Sequence, residues 1–199
     1  MAFPPIPLPA LGRVQTLLQQ PGRRLLGIAG PPGTGKSSLA QALVEAIGDS
    51  AVAQIVPMDG FHLANAELAR RGLTHCKGAP DTFDAAGFVA LLHRLRRAGP
   101  AETVMAPEFH RAMEEPVAGS IAVQPATRLV IVEGNYLLLP EGDWAAVGPL
   151  LDDTWYLDTD DTLRRTRLVE RHRQFGRSAE AARAWVDETD EPNARLIAT

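Results

Sequence analysis

The feature that most constrains the fold is a short stretch, residues 30–37, with the sequence GPPGTGKS. It follows the apolar run RRLLGIA and precedes SLAQALVEAIG, which has the composition of an amphipathic helix. Because glycine and proline interrupt regular structure, the chain must bend here between a strand and a helix. The spacing therefore predicts a strand, a tight loop and a helix as the first unit of an α/β fold.

The remainder of the chain alternates in the same way. The patterns predict helices over 10–20, 37–48, 84–99, 143–150, 160–176 and 178–190, and strands over 23–30, 51–60, 120–123, 128–139 and 153–158. Asp84 is the expected N-cap of its helix. Strands that alternate with helices favour a three-layer α/β sandwich with a mainly parallel central sheet. We expect one domain over 1–199, with residues 1–9 as an extended arm.

Composition limits the class of protein. With 199 residues, of which 45% are hydrophobic and 22% charged, the chain can bury a core. A net charge of −4 argues against a nucleic-acid partner, and no run is long and apolar enough for a membrane span. We expect a cytoplasmic location, with a homodimer as the default assembly. Cys76, the only cysteine, is either an incidental loop thiol or a thiol activated by His75 and Lys77.

The loop over 30–37 has the spacing G-x-x-x-x-G-K-[ST] of a phosphate cradle. Backbone amides would surround a β-phosphate, Lys36 would reach the outer phosphates, and the Ser37 hydroxyl would coordinate Mg²⁺. The cofactors predicted are therefore ATP and Mg²⁺. The residues predicted to bind them are Gly30, Pro31, Pro32, Gly33, Thr34, Gly35, Lys36, Ser37 and Ser38.

Two carboxylates follow predicted strands. Asp59 comes just after the strand in IVPMDGFH, where it could accept a proton from a hydroxyl or hold a metal-bound water; alternatively, Asp59-Gly60 is only a turn. Glu133 ends the aliphatic run LVIV, as in a Walker B strand that holds Mg²⁺; alternatively, it faces solvent. Because parallel strands present their carboxyl ends at one edge, both carboxylates are expected near the loop.

An arginine-rich segment, LRRTRLVERHRQFGR, is predicted to form a lid over about 164–180. Arg164, Arg167 and Arg171 share a helical face and could neutralise charge on the phosphates. About half of the segment's arginines are expected to be solvated instead, paired with Asp160, Asp161 and Glu170.

Two loop segments are candidates for binding a second substrate. RRGLTHCKGAPDTFD covers residues 70–84, and APEFHRAMEEP covers 106–116 and is predicted to be an irregular loop. Polar and aromatic side chains on loops are typical of sites for small hydroxylated molecules.

Together these stretches resemble the uridine kinase, phosphoribulokinase and bacterial pantothenate kinase family of P-loop kinases. GPPGTGKSSLA, VPMDGFHL, the two loop segments, VIVEGNYLLL, the arginine-rich segment and DEPNARLI occur in the family's order across nearly the whole chain. Within the family the chain is most similar to a small bacterial branch described as sugar kinases associated with fructose transport, or as nucleoside-kinase-like proteins.

The resemblance implies a role for each matching residue. Asp59 would be the catalytic base, and Lys36, Arg167 and Arg171 would act on the phosphates. Glu133 would belong to the Mg²⁺ shell or to the acceptor site. The residues implied to bind the acceptor are Phe83, His110, Arg111 and Tyr136, and Asn193 would lie near adenine.

Two classes of function stay open at this point. The first is an ATP- and Mg²⁺-dependent phosphotransferase that moves the γ-phosphoryl group to a hydroxyl of a sugar, nucleoside or pantothenate-like metabolite. The alternative is an NTPase switch or regulator in which water attacks and a partner protein reads the state. A module that binds nucleotide without catalysis is disfavoured by the presence of Lys36, Ser37, Asp59 and Glu133.

Overall fold

The structure is a computed structural model that describes residues 6–49 and 51–198. Its helices are α1 Leu8–Gln19, α2 Lys36–Ile47, α3 Asn65–Arg71, α4 Ala85–Arg97, α5 Asp161–Gln174, α6 Ala179–Trp185 and α7 Glu191–Ile197. Its strands are β1 Arg24–Ala29, β2 Ala53–Pro57, β3 Val104–His110, β4 Glu115–Val123, β5 Leu129–Gly134 and β6 Asp153–Tyr156. Short 3₁₀ turns join several of them. None of the helices in these two ranges is long and apolar enough to cross a membrane.

The central sheet is parallel, with strand order β2-β5-β1-β6. β5 lies between β1 and β2, so that Ala29 pairs with Gly134 and Pro57 pairs with Glu133. The three strands therefore end at the same edge, and the segments that follow them meet there. The predicted fold class, an α/β sandwich with a mainly parallel sheet, is confirmed.

Each face of the sheet buries its own apolar cluster. Val130 and Val132 of β5 pack on the α4 side with Phe88 and Leu92. Leu129 and Ile131 pack on the opposite side, against α1 and α2. All six residues of β5 are buried, which is why the strand reads as a continuous apolar run rather than an alternating one.

The segment over 106–116 is a β-hairpin rather than the irregular loop predicted from the sequence. β3 and β4 pair antiparallel, from Val104–Val123 to His110–Glu115, and residues 111–114 form the turn. The predicted strand over 120–123 is the last part of β4 and belongs to this two-stranded sheet. Pro107 and the exposed polar residues made the pairing hard to predict, because a strand with one solvent-exposed face has a weak apolar pattern.

Other boundaries moved by a few residues. α1 begins at Leu8 with a proline in its first turn, so residues 8 and 9 are helical rather than part of the expected arm, and residues 1–5 of that arm lie outside the described residues. β5 ends at Gly134 instead of 139, because Leu137 and Leu139 leave the sheet and pack in the core. α3 was not predicted. The Asp84 cap is confirmed: its side chain accepts a hydrogen bond from Gly87 N at 2.9 Å.

The predicted helix over 178–190 ends early and is continued by other elements. α6 stops at Trp185, a π-helical turn follows over Val186–Asp190, and α7 begins at Glu191. A π-helical turn changes which side chains share a face, and such turns are often found beside functional sites.

Arg164 of α5 has a different role from the one expected for the lid. Its side chain is 2% exposed, and its Nη2 lies 2.6 Å from Glu191 and 3.1 Å from Asp161. Arg164 therefore joins α5 to α7 and does not face the cavity with Arg167 and Arg171. The three arginines predicted to share one helical face therefore differ: Arg164 is buried, whereas Arg167 and Arg171 line the cavity.

We predict that Arg164→Ala lowers the free energy of unfolding by about 3 kcal/mol, because the substitution removes a buried ion-pairing side chain and leaves the partly buried Glu191 with its longer, 3.3 Å contact to Arg165. Chemical denaturation measures this change. Arg173→Ala, an exposed position on the same helix, is the matched control and should change stability by less than about 0.5 kcal/mol. Equal effects of the two substitutions would show that Arg164 makes no special contribution to stability.

Candidate active site

A cavity of about 630 Å³ lies at the edge where β1, β2 and β5 end. This volume is typical of small-molecule sites. Most residues predicted from the sequence line it: Pro32, Gly33, Gly35, Lys36, Ser37, Ser38, Asp59, Phe83, Arg111, Glu133, Arg167, Arg171 and Asn193. One cavity therefore brings together the loop, both strand-end carboxylates and two lid arginines.

The loop takes its shape from glycines with positive φ. Gly35 has φ +97° and stands immediately before α2, and Gly33 has φ +84°. A Cβ atom on Gly33 would lie 2.8 Å from the carbonyl oxygen of Arg164. The positive φ therefore favours glycine at both positions, and at Gly33 the contact with α5 also leaves no space for a side chain.

Lys36 fills the centre of the loop. Its Nζ donates to the carbonyl oxygens of Gly30 at 2.8 Å and Pro31 at 2.9 Å, and to Asn135 Oδ1 at 2.8 Å. An ammonium group has three donors, so the protein's own acceptors use all of them. Phosphate oxygens would have to replace some of these partners. Burial lowers the pKa of Lys36 to about 8, although Glu133 and Asp59 oppose the shift.

Ser37 and Glu133 form the part of the site suited to Mg²⁺. Ser37 Oγ donates to Glu133 Oε1 at 2.9 Å, and the Glu133 residue is 8% exposed. Burial, and then repulsion from Asp59, raises the pKa of Glu133. A hydroxyl and a carboxylate are oxygen ligands of the kind Mg²⁺ takes, and Mg²⁺ at phosphates needs only one or two protein ligands. In the described parts of the chain, no group of three or more His, Cys, Asp or Glu side chains could hold a metal ion.

Asp59 lies in the 3₁₀ turn Met58–Phe61 that follows β2, and it is paired with Arg111 of the hairpin. Arg111 Nη2 is 2.7 Å from Asp59 Oδ2, with 39% of the arginine side chain and 31% of the aspartate side chain exposed. Burial by itself would raise the pKa of Asp59. The nearby positive groups, first His62 and then Arg111, Arg171 and Lys36, outweigh it, so the pKa lies below its usual value.

A group of aromatic rings forms the wall beside Asp59. The His62 ring lies 4.0 Å from that of Phe83 and 4.7 Å from that of Phe109, measured between centroids. His62 Nδ1 is 2.8 Å from the Asp59 carbonyl oxygen, and burial lowers the pKa of His62. Lys77 and Arg111 both lie over the face of Phe109, at 5.0 and 4.9 Å. The part of the cavity next to Asp59 is therefore apolar at its base and cationic at its rim.

The lid contributes a second group of polar side chains. His172 Nε2 lies 2.8 Å from Asp190 Oδ2, and Asp190 and Asn193 are each 8% exposed. Arg177 stacks over Trp185 at 3.8 Å. The π-helical turn places Asp190 on the cavity side, next to Asn193.

In the described part of the chain, five of the residues predicted for the site do not line the cavity. Gly30 and Pro31 hold Lys36 through their carbonyls, and Thr34 bonds to Pro31 within the loop. His110 lies near Glu108 and Ser120 on the other side of the hairpin, because side chains alternate along a strand and Phe109 takes the inner position.

Tyr136 was also expected to contact the acceptor, and this expectation is corrected. Its side chain is fully buried among Phe83 and Trp144, and its hydroxyl donates to the Gly78 carbonyl. Burial raises its pKa further above the usual value. Tyr136 therefore supports the wall that carries Phe83 instead of facing the cavity.

Several cavity residues were missed or not assigned a role from the sequence. Asn135 and His62 carried one available signal, since each lies within three positions of a predicted carboxylate. Asp190 lies in the segment DEPNARLI but was given no role, and Asn65 and Trp185 gave no signal, because only the packing of α3 and the C-terminal helices brings them to the cavity.

The family model described as "Phosphoribulokinase / Uridine kinase family" matches residues 25–194. A Schizosaccharomyces pombe protein provisionally named a uridine kinase is 37% identical over 185 residues, which cover 89% of this chain and 78% of that protein. A pantothenate kinase from Leifsonia xyli is 31% identical over 85% of this chain and 60% of its own length.

Among solved structures, a protein from Silicibacter sp. TM1040, provisionally described as a fructose transport system kinase, aligns with a TM-score of 0.87. It is 39% identical and covers 98% of this chain and 95% of that chain. The family match spans the loop, both carboxylates and the lid. The chain therefore belongs to the phosphoribulokinase / uridine kinase family of kinases.

Proposed function

We propose that the protein transfers the γ-phosphoryl group of ATP to a hydroxyl of a small metabolite, with Asp59 as the general base. The observation that carries the proposal is that Asp59 lines the same cavity as Lys36 and Ser37. A nucleotide held by the loop and a hydroxyl compound beside Phe83 would then have a carboxylate within the same enclosed space.

In the proposed reaction the acceptor oxygen forms a bond to the γ-phosphorus, and the bond from that phosphorus to the bridging oxygen of ADP breaks. The hydroxyl proton passes to a carboxylate oxygen of Asp59. Lys36, Arg167 and Arg171 stabilise the charge on the phosphate oxygens. Mg²⁺, which Ser37 and Glu133 would hold, supplies further positive charge when bound.

The first test adds candidate acceptors to the protein with ATP and Mg²⁺ and measures ADP release. We expect release to rise sharply with the right sugar, nucleoside or hydroxy acid, after a thermal-shift screen with an ATP analogue has selected candidates. Steady ADP release that no acceptor increases would instead favour the NTPase switch.

We predict that Asp59→Asn lowers kcat for transfer by about 10² or more and leaves ATP affinity unchanged, because the amide keeps the size of the side chain but accepts no proton. Single-turnover transfer and ATP titration measure the two quantities. Asp143→Asn, at an exposed position, is the control and should keep full activity. Unchanged transfer in Asp59→Asn would exclude this residue as the base.

The pKa of Lys36 leads to a pH dependence of ATP affinity. Phosphate favours the charged lysine, so binding raises a pKa that is about 8 in the nucleotide-free protein. Affinity should be constant below that value and should fall as the pH rises above it, by up to about tenfold per unit. Calorimetric titration from about pH 7 to about pH 10 tests this. In Lys36→Met the affinity should be weak and independent of pH; a matching decline there would assign the effect elsewhere.

We further predict that Glu133→Gln raises the Mg²⁺ concentration needed for half-maximal transfer by about tenfold or more, the range for loss of a residue that orients a metal site. The measurement is a Mg²⁺ titration of transfer at saturating ATP. Glu141→Gln, on the exposed surface, should leave the titration unchanged. A normal Mg²⁺ requirement in Glu133→Gln would remove this residue from the metal site.

A further inference from the structure

The ion pair between Arg111 and Asp59 conflicts with the role of Asp59 as a base. A carboxylate is a better proton acceptor when its pKa is higher, and a guanidinium 2.7 Å away lowers it. The arginine also occupies Oδ2, one of the two oxygens that could receive the proton. Arg111 therefore weakens Asp59 as a base and holds one of its two oxygens, so movement of Arg111 away from Asp59 would favour transfer.

The hairpin turn that carries Arg111 is itself fixed. Lys77 Nζ and Asn65 Nδ2 both donate to the Glu114 carbonyl, at 2.6 and 3.1 Å. The Glu115 carboxylate accepts from Asn65 N at 3.1 Å. Because the backbone of the turn is held on α3, release of Asp59 requires movement of the Arg111 side chain, which is 39% exposed and free to adopt other rotamers.

Lys77 provides the second positive group at this rim. Its side chain is 14% exposed and lies over the same aromatic ring, Phe109, as Arg111. Burial lowers the pKa of Lys77, and repulsion from Arg111 adds to the shift. Lys77 and Arg111 repel each other, so an anion that contacts both would relieve that repulsion.

The neighbouring carboxylate does not already satisfy this need. Glu114 Oε2 is 3.7 Å from Lys77 Nζ, beyond hydrogen-bond distance, and the Glu114 side chain is 50% exposed. Lys77 Nζ donates to Asn65 Oδ1 and to the Glu114 carbonyl, which leaves one of its three donors for an anion. Because no hydrogen bond joins the half-exposed Glu114 carboxylate to Lys77, another anion can replace it. Arg111 contacts Asp59 through a single nitrogen, whereas a carboxylate or phosphate can accept two parallel hydrogen bonds from a guanidinium.

We propose that the acceptor carries a carboxylate or phosphate group, which Arg111 and Lys77 bind, and that this binding moves Arg111 off Asp59 and frees the base. The inference rests on the proposed function and specifies the substrate class. Asp59, Arg111 and Lys77 all line the cavity, so the anionic group and the reacting hydroxyl belong to one molecule. A neutral acceptor would leave Arg111 on Asp59 and would be transferred slowly.

The test compares matched acceptors in the full-length protein with saturating ATP and Mg²⁺. The probes are pantothenate against pantothenol and glycerate against glyceramide for the carboxylate, and fructose 6-phosphate against fructose for the phosphate, with uridine as a further neutral compound. We expect kcat/KM for an anionic member to exceed that of its neutral partner by about 10² or more, as for a site built to bind a group that the analogue lacks. The pair that shows the difference identifies the anionic group.

Two variants distinguish a role of Arg111 and Lys77 in binding the acceptor from a role in maintaining the fold. In both Arg111→Met and Lys77→Met the preference for the anionic acceptor should collapse. The rate with the neutral acceptor should rise severalfold in Arg111→Met alone, because Arg111, unlike Lys77, contacts the Asp59 carboxylate. Arg94→Gln, which breaks an exposed arginine–glutamate pair with a 2.9 Å contact, is the matched control and should change neither quantity.

Several outcomes would overturn the inference. Equal or faster transfer to the neutral partners in the wild type would do so while leaving the proposed function intact. A loss in Arg111→Met that is the same for both acceptor classes would show that the residue only maintains the fold. Absence of transfer to every probe, with ADP release independent of acceptor, would remove the proposed function and this inference together.

Discussion

The parallel pairing of β5 between β1 and β2 is the constraint on which the site depends. It brings the ends of three strands to one edge, so that the loop before Lys36, the turn with Asp59 and the carboxylate of Glu133 meet there. Residues distant in the chain become neighbours because parallel strands share a direction. The apolar clusters on both faces keep the sheet, and hence the site, in place.

Because the three strands end at one edge, several charged side chains lie close together there and pair with one another. Buried carboxylates and a buried ammonium are each unfavourable alone, yet together with Arg111 and Arg171 they compensate one another. In the nucleotide-free state each reactive group is occupied: Lys36 by loop carbonyls, Ser37 by Glu133, and Asp59 by Arg111. Under the proposed function, substrates would bind by replacing partners that the protein itself provides.

The sequence predicted much of the fold because its signals were local. The Gly-rich loop, the buried strand before Glu133 and the Asp84 cap each depend on adjacent residues, and the structure has them where they were expected. The hairpin over 104–123 was missed because its pairing is non-local and its strands are partly exposed. Within that hairpin, strand alternation selected Phe109 over His110 for the cavity, and this choice depends on which face the partner strand covers.

By itself the sequence determined the α/β class, the phosphate-binding loop and the two strand-end carboxylates, since glycine conformation, apolar runs and strand direction are properties of short segments. Only the tertiary structure decided that Arg164 is buried in an ion pair while Arg167 and Arg171 face the cavity, and that Tyr136 supports the wall. It alone decided that Arg111 forms an ion pair with Asp59. The reason is that burial and charge pairing depend on which distant elements pack together, and spacing along one helix or loop carries no information about the partner.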